Sequence, residues 1–161
     1  MKTTRVRFMT QAAMIAAIYV VLTIFISAFH LASGAIQIRI SEALTILPAF
    51  TPAAIPGLFL GCLISNLITG AMLPDIIFGS LATLLGALGT YFLRKYKWAI
   101  PLPPIFSNVL IIPWILSYVY GFPGSIPYFM LTVGVGEIIS CGVLGMILYG
   151  TLAKYRHILF K

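Results

Sequence analysis

Acidic residues are scarce in this chain. Its 161 residues include three Asp and Glu in all, and charged types of either sign make up 8%. A water-soluble domain carries roughly 25% charged residues, so a soluble globular fold is excluded. Disorder is excluded as well, because hydrophobic types reach 61% and such a chain has ample apolar surface to bury. Two cysteines are too few for a disulfide scaffold, and Cys62 and Cys141, in separate apolar stretches, read as small core residues. Catalytic signatures are missing too. There is no G-x-x-x-x-G-K-[ST] nucleotide loop, no H-E-x-x-H or close Cys/His set for a metal, and no Ser-centred nucleophile motif. His30 and His157 stand alone. These absences predict no catalytic residue, no metal and no cofactor of the chain's own.

The surplus of apolar residues must face lipid, which makes residues 1–161 a single integral membrane domain. Ten Lys and Arg give a net charge of +7, a balance that in a soluble chain suggests nucleic acid. Position argues otherwise. Lys2, Arg5 and Arg7 open the chain, Arg94, Lys95 and Lys97 form a cluster, and Lys154, Arg156 and Lys161 close it. Bases flanking apolar stretches are held on the cytoplasmic side of a membrane. The first apolar run is too long for a signal-peptide core and has no evident cleavage site.

Breaks at Pro, Gly and polar clusters divide the chain into six apolar segments: Phe8–His30, Gln37–Phe50, Pro52–Thr69, Pro74–Leu93, Pro103–Tyr120 and Ile126–Leu152. Thr51 before Pro52, and Ser125 before Pro127, suit helix starts. Six crossings place both termini and the turn after the fourth segment on one face, where all three basic clusters then fall. The fold class is therefore an all-α membrane bundle of six transmembrane helices with cytoplasmic N and C termini.

Four ionisable residues lie in or at the edge of these spans: Arg39, Glu42, Asp75 and Glu137. Charges at membrane depth are costly, so such residues should face the interior and be paired, neutralised or functional. Arg39 and Glu42, spaced i, i+3, either neutralise each other or serve a ligand. Asp75 either complements a helix dipole in its first turn or serves likewise. Glu137, in Gly134-Val135-Gly136-Glu137, has no basic neighbour in its own segment, which points to a ligand or proton role. Asn66, Trp114 and Tyr118 fall at similar depth, the two aromatics recurring at helical spacing as belt or pocket residues. Tyr120 and Tyr128 read as interfacial-belt residues. Acids, an amide and aromatic faces suit a flat, hydrogen-bonding, cationic solute. The candidate substrate-binding set is thus Glu137, Asp75, Asn66, Trp114, Tyr118, Arg39 and Glu42.

The first segment carries two overlapping small-x-x-x-small pairs, Ala12/Ala16 and Ala13/Ala17, and the third repeats the spacing in Gly57 and Gly61. Such pairs let helices approach closely, inside one bundle or between proteins.

The stretch Gln37-Ile38-Arg39-Ile40-Ser41-Glu42-Ala43-Leu44-Thr45, continuing through Leu47-Pro48-Ala49-Phe50-Thr51-Pro52-Ala53-Ala54-Ile55-Pro56-Gly57, and then Asp75-Ile76-Ile77-Phe78-Gly79-Ser80-Leu81-Ala82-Thr83, resembles the QueT family over essentially the whole chain. That resemblance implies the substrate-binding S component of an energy-coupling factor (ECF) transporter in a prokaryotic plasma membrane. Its implied cargo is a queuosine precursor, queuine or a related 7-deazaguanine. Its implied partners are a transmembrane coupling protein and two ABC-type ATPases that use the ATP. In the wider group an Ala-rich first helix meets the coupling protein, which assigns that contact to Ala12/Ala16 or Ala13/Ala17. The competing expectations are a stand-alone proton-coupled carrier using Glu137, a structural subunit without a ligand, and an intramembrane enzyme using Glu137 or His30.

Overall fold

A computed structural model describes residues 2–28 and 39–155; His30 and Gln37 lie outside them. Among the described residues every regular element is helical. Helix α1 spans Lys2–Ala28, a 3-10 helix spans Ile40–Ala49, α2 spans Ala54–Ile68, α3 spans Leu73–Leu93 and α4 spans Leu102–Tyr118. A last continuous helix, α5, spans Ile126–Lys154, and its residues Ile138–Leu144 are wound as a π helix. Each of the six expected segments has its helix. Four helical stretches are long and apolar enough to cross a membrane: Thr4–Ala28, Leu73–Leu93, Lys97–Tyr118 and Ile126–Lys154. The 3-10 helix and α2 are shorter.

The second segment differs most from expectation, being 3-10 rather than α. A 3-10 helix rises about 2.0 Å per residue against 1.5 Å in an α-helix, so its ten residues reach roughly 20 Å. Runs this long are uncommon because their hydrogen bonds are poorer. Here packing on all sides compensates: Ser41 through Pro48 are buried without a break. The element packs against α1, α2, α3 and the second half of α5, closing the bundle between α1 and α5. It ends at Ala49, one residue after Pro48, with the Phe50 and Thr51 amides both donating to the Leu47 carbonyl at 2.9 and 3.1 Å.

The remaining helices pack in chain order, α1 on α2, α2 on α3, α3 on α4 and α4 on α5. Thr51 acts near its expected place: its hydroxyl accepts from the Ala53 amide at 3.3 Å and its carbonyl from the Ala54 amide at 3.2 Å. Ser125 occupies the cap position of α5 without a side-chain bond. The turns after α2 and α4 pass through Gly70 and Gly121 at φ 74° and 63°, left-handed conformations that favour glycine.

The small-residue seams separate into two faces. Ala12 and Ala16 turn toward α2, where a Cβ on Gly57 would lie 2.7 Å from the Ala12 carbonyl oxygen. One on Gly61 would lie 2.8 Å from the Tyr19 Cβ and 3.1 Å from the Ala16 carbonyl oxygen. Ala13 and Ala17 are exposed. Gly61→Val is therefore expected to push α1 off α2, costing about 1–3 kcal/mol by overpacking. Gly150→Val, with nothing within 4 Å, should be nearly silent in the same thermal melt of detergent-purified protein.

Candidate functional site

Where the 3-10 helix crosses α1 and α5, the fold gathers polar groups in an apolar interior. The Tyr19 hydroxyl of α1 donates to Glu42 Oε1 at 2.5 Å. Thr45 donates to the Glu42 carbonyl at 2.6 Å, as expected one turn along a 3-10 helix. From α5, the Cys141 thiol donates to Glu137 Oε2 at 3.1 Å. Its sulfur also lies 3.4 Å from both Thr45 Oγ1 and the Glu42 carbonyl oxygen. Ligand atoms of Glu42, Glu137 and Cys141 all lie within 4.8 Å of one another. Glu42 is 0% exposed, and its Oε2 has no hydrogen-bond partner among the described residues.

Glu137 is the last residue before the π turn Ile138–Leu144, and π turns inside α-helices recur at functional positions. Its carboxyl borders a cavity of about 10 Å³ lined also by Arg39, Asn108, Ile112 and Val133. That is the space of about one water molecule. Asn108, buried on α4, is an electrostatic neighbour of Glu137 there.

A second polar group lies at the junction of α2 and α3. Asp75 is 7% exposed and its Oδ2 accepts from the Tyr120 hydroxyl at 2.9 Å. That hydroxyl in turn accepts from the Met72 amide at 3.3 Å. Asn66 Nδ2 donates to the Asp75 carbonyl at 3.5 Å and approaches Cys62 Sγ at 3.7 Å. Arg39 joins the two groups electrostatically, since its guanidinium interacts with Asp75 and Glu42 and also with Glu137.

Residues 9–154 match the QueT transporter family. The chain belongs to that family. Similarity to a curated relative points the same way. The chain is 33% identical over 98 residues to the queuosine precursor transporter QueT of Lactococcus lactis subsp. cremoris (strain MG1363). The aligned part covers 60% of this chain and 57% of that relative. No solved structure matches.

Within this QueT-family bundle the expected residues divide in two. Glu42, Glu137 and Arg39 come together, and Asp75 with Asn66 forms the adjoining group. Trp114 and Tyr118 do not join them. Those rings stack on each other at 5.9 Å with 7° between planes, and they are 50% and 76% exposed. The groove they line is otherwise built from apolar residues, among them Pro74, Phe78, Leu110 and Ile115. Conversely, Tyr19, Asn108, Thr45, Cys141 and Tyr120 were not expected at a site. A polar amide inside an apolar span marks Asn108 by the reasoning that found Asn66. Cys141 stands four residues after Glu137, a spacing that shares a helical face. Tyr19 carries no local signal.

Chemically, the cluster is an acceptor site. Two carboxylates from different elements face one another, with Arg39 supplying positive charge at the edge and the Asn108 amide lining the same cavity. The Glu42, Glu137 and Cys141 set could also ligate a metal, two hard oxygens and one soft sulfur. Glu42 is far in sequence from Glu137 and Cys141, which is why no motif revealed the set.

Proposed function

We propose that this chain is the substrate-capturing S component of an ECF-type importer, taking up a queuosine precursor, queuine or a related 7-deazaguanine. The observation that carries the reading is the buried carboxylate pair Glu42 and Glu137, with Glu42 Oε2 lacking a partner among the described residues, in a chain of a transporter family. A 7-deazaguanine offers adjacent ring and exocyclic N–H donors, and carboxylates accept such donors in strong, charge-assisted bonds. Glu137 and Glu42 hold that edge, Arg39 and Asn108 border it, and Asp75 with Asn66 supports it from α2 and α3. The curated relative's name supports the same cargo.

The reading includes six crossings with both termini in the cytoplasm of a prokaryote. Exposed Arg5 and Arg7, the exposed turn of Arg94, Lys95 and Lys97, and exposed Lys154 then share the positive face. Trp98, 83% exposed, sits in that turn as an interfacial anchor. Glu137, about eleven residues into α5, lies roughly 16 Å below the outer end, and Asp75 begins α3 from outside. In this reading, as the family resemblance implies, ATP is used by two ATPases bound to a separate coupling protein. Ala13 and Ala17, exposed on α1, offer that protein a small-residue seam. The paired acids also suit a stand-alone proton-coupled carrier; uptake by proteoliposomes holding this chain alone, without ATP, would favour that reading instead.

Thermal shift of the purified protein against a panel of 7-deazaguanines, guanine and vitamins tests the cargo. A ligand at a hundred times its Kd adds about 2.7 kcal/mol to native-state stability. The expected result is stabilisation by 7-deazaguanines and not by vitamins. Stabilisation by a vitamin alone, or by nothing in the panel, contradicts the assignment.

A further inference from the structure

Cys141 has no part in holding a heterocycle, yet it is 0% exposed in the π turn of α5, facing the 3-10 helix. Its thiol donates to Glu137 Oε2 at 3.1 Å, and its sulfur lies 3.4 Å from Thr45 Oγ1. One ligand atom from each of Glu42, Glu137 and Cys141 lies within 4.8 Å of the others. Around a single zinc ion, with bonds of about 2.0–2.3 Å, two oxygens and a sulfur stand about 3.4–3.6 Å apart. The Glu137 and Cys141 atoms are already that close. A shift of about 1 Å in the Glu42 carboxylate completes the set.

Glu42 points to an ion independently of this spacing. Its Oε1 accepts from the Tyr19 hydroxyl at 2.5 Å, while Oε2, in a residue 0% exposed, has no partner among the described residues. Metal-ligating carboxylates are held in this way, one oxygen fixed by an outer donor and the other left for the ion. Charge favours occupancy as well. Glu42, Asp75 and Glu137 are all buried, and with Arg39 as the base beside them two negative charges go uncompensated in the described interior. Unpaired charge at membrane depth is costly. A divalent cation lowers the imbalance to one, even after the Cys141 thiol gives up its proton to bind. The sulfur narrows the class of ion. Magnesium and calcium take shells of oxygen, whereas a thiolate with two carboxylates suits zinc or a similar borderline transition ion.

We propose that Glu42, Glu137 and Cys141 form a binding site for a divalent transition metal of the zinc class, with the Thr45 hydroxyl the nearest further oxygen. Glu42 and Cys141 are 99 residues apart, so closely spaced ligands in the sequence do not announce the site. The metal site stands apart from the cargo reading. One consequence rests on that reading: the ion and a 7-deazaguanine need the same carboxylate oxygens, so each excludes the other.

Titration of cobalt chloride into tag-free purified protein decides it, because cobalt enters zinc sites and its bond to a thiolate absorbs in the near ultraviolet. The expected result is one cobalt per chain with that charge-transfer band, bleached by one equivalent of zinc chloride. Cys141→Ser should abolish the band and Cys62→Ser should leave it. Glu42→Gln should weaken cobalt by at least about tenfold, since even an outer partner of a metal ligand is worth that much. No stoichiometric binding, binding without the band, or a band that survives in Cys141→Ser overturns the site. The first two are read on unmodified protein and need no variant to fold. Titration of a 7-deazaguanine into metal-free protein tests the cargo separately, and its failure removes the cargo assignment while the cobalt band stands. A 7-deazaguanine that binds metal-free protein yet leaves the band of the cobalt protein unchanged overturns the mutual exclusion.

Discussion

Glu137→Gln is expected to weaken binding of a 7-deazaguanine by about 10- to 150-fold, the equivalent of the 1.5–3 kcal/mol carried by hydrogen bonds to a charged group. The replacement keeps the shape and one acceptor but loses the charge. It also places an amide where the Cys141 thiol now donates at 3.1 Å, an acceptor role the amide oxygen retains, so the fold should survive. Titration calorimetry on the purified variant measures the loss, and a melting temperature close to that of the parent protein separates it from unfolding. The informative companion is Trp114→Ala. A ring stacked on the substrate contributes about 1–3 kcal/mol, yet Trp114 stacks on Tyr118 at an exposed face. Its removal should change affinity by less than about threefold. A large loss at Trp114 with none at Glu137 would move the site to the outer groove.

The second large effect is expected on transport without an effect on binding. Ala13→Trp and Ala17→Trp place bulk on the exposed face of α1, where a partner helix needs small residues for close approach. ATP-driven uptake in cells or in vesicles with the full transporter should fall by about tenfold or more, while substrate affinity of the isolated chain stays within error. Ala16→Leu behaves differently. Ala16 is buried against α2, its carbonyl oxygen 3.1 Å from where a Gly61 Cβ would stand. That variant should lower the melting temperature. Uptake unchanged in both exposed-face variants would remove α1 from the coupling interface.

Much of this arrangement is legible in the residues themselves. Among the described residues, apolar length between Pro, Gly and polar breaks located each long helix, with ends shifted by a few residues, and missed the short 3-10 helix Lys97–Ala99. The α1 helix begins at Lys2 rather than Phe8, because a polar turn is free to extend a helix beyond the hydrocarbon. The cost of burying charge identified Glu42, Asp75 and Glu137, the chain's three acids, as interior residues. What the residues do not carry is which faces meet. The i, i+4 spacing of Trp114 and Tyr118 defines a stripe, but the opposite face of α4, with Asn108 and Ile112, is the one turned to the cluster. Likewise the two alanine pairs are equivalent by spacing, and only packing against Gly57 and Gly61 sets them apart. The 3-10 winding of the second segment depends on neighbours covering all of its sides, a tertiary property with no local signature. Tyr19 is silent for the same reason: its partner Glu42 is 23 residues away.

A structure of the protein with a 7-deazaguanine bound is the most direct test of the buried acids as the substrate site. The adjacent ring and exocyclic N–H donors should stand about 3 Å from carboxylate oxygens of Glu137 and Glu42. Density for the compound in the Trp114–Tyr118 groove, or at the end of the bundle marked by Arg94 and Lys97, would contradict the assignment.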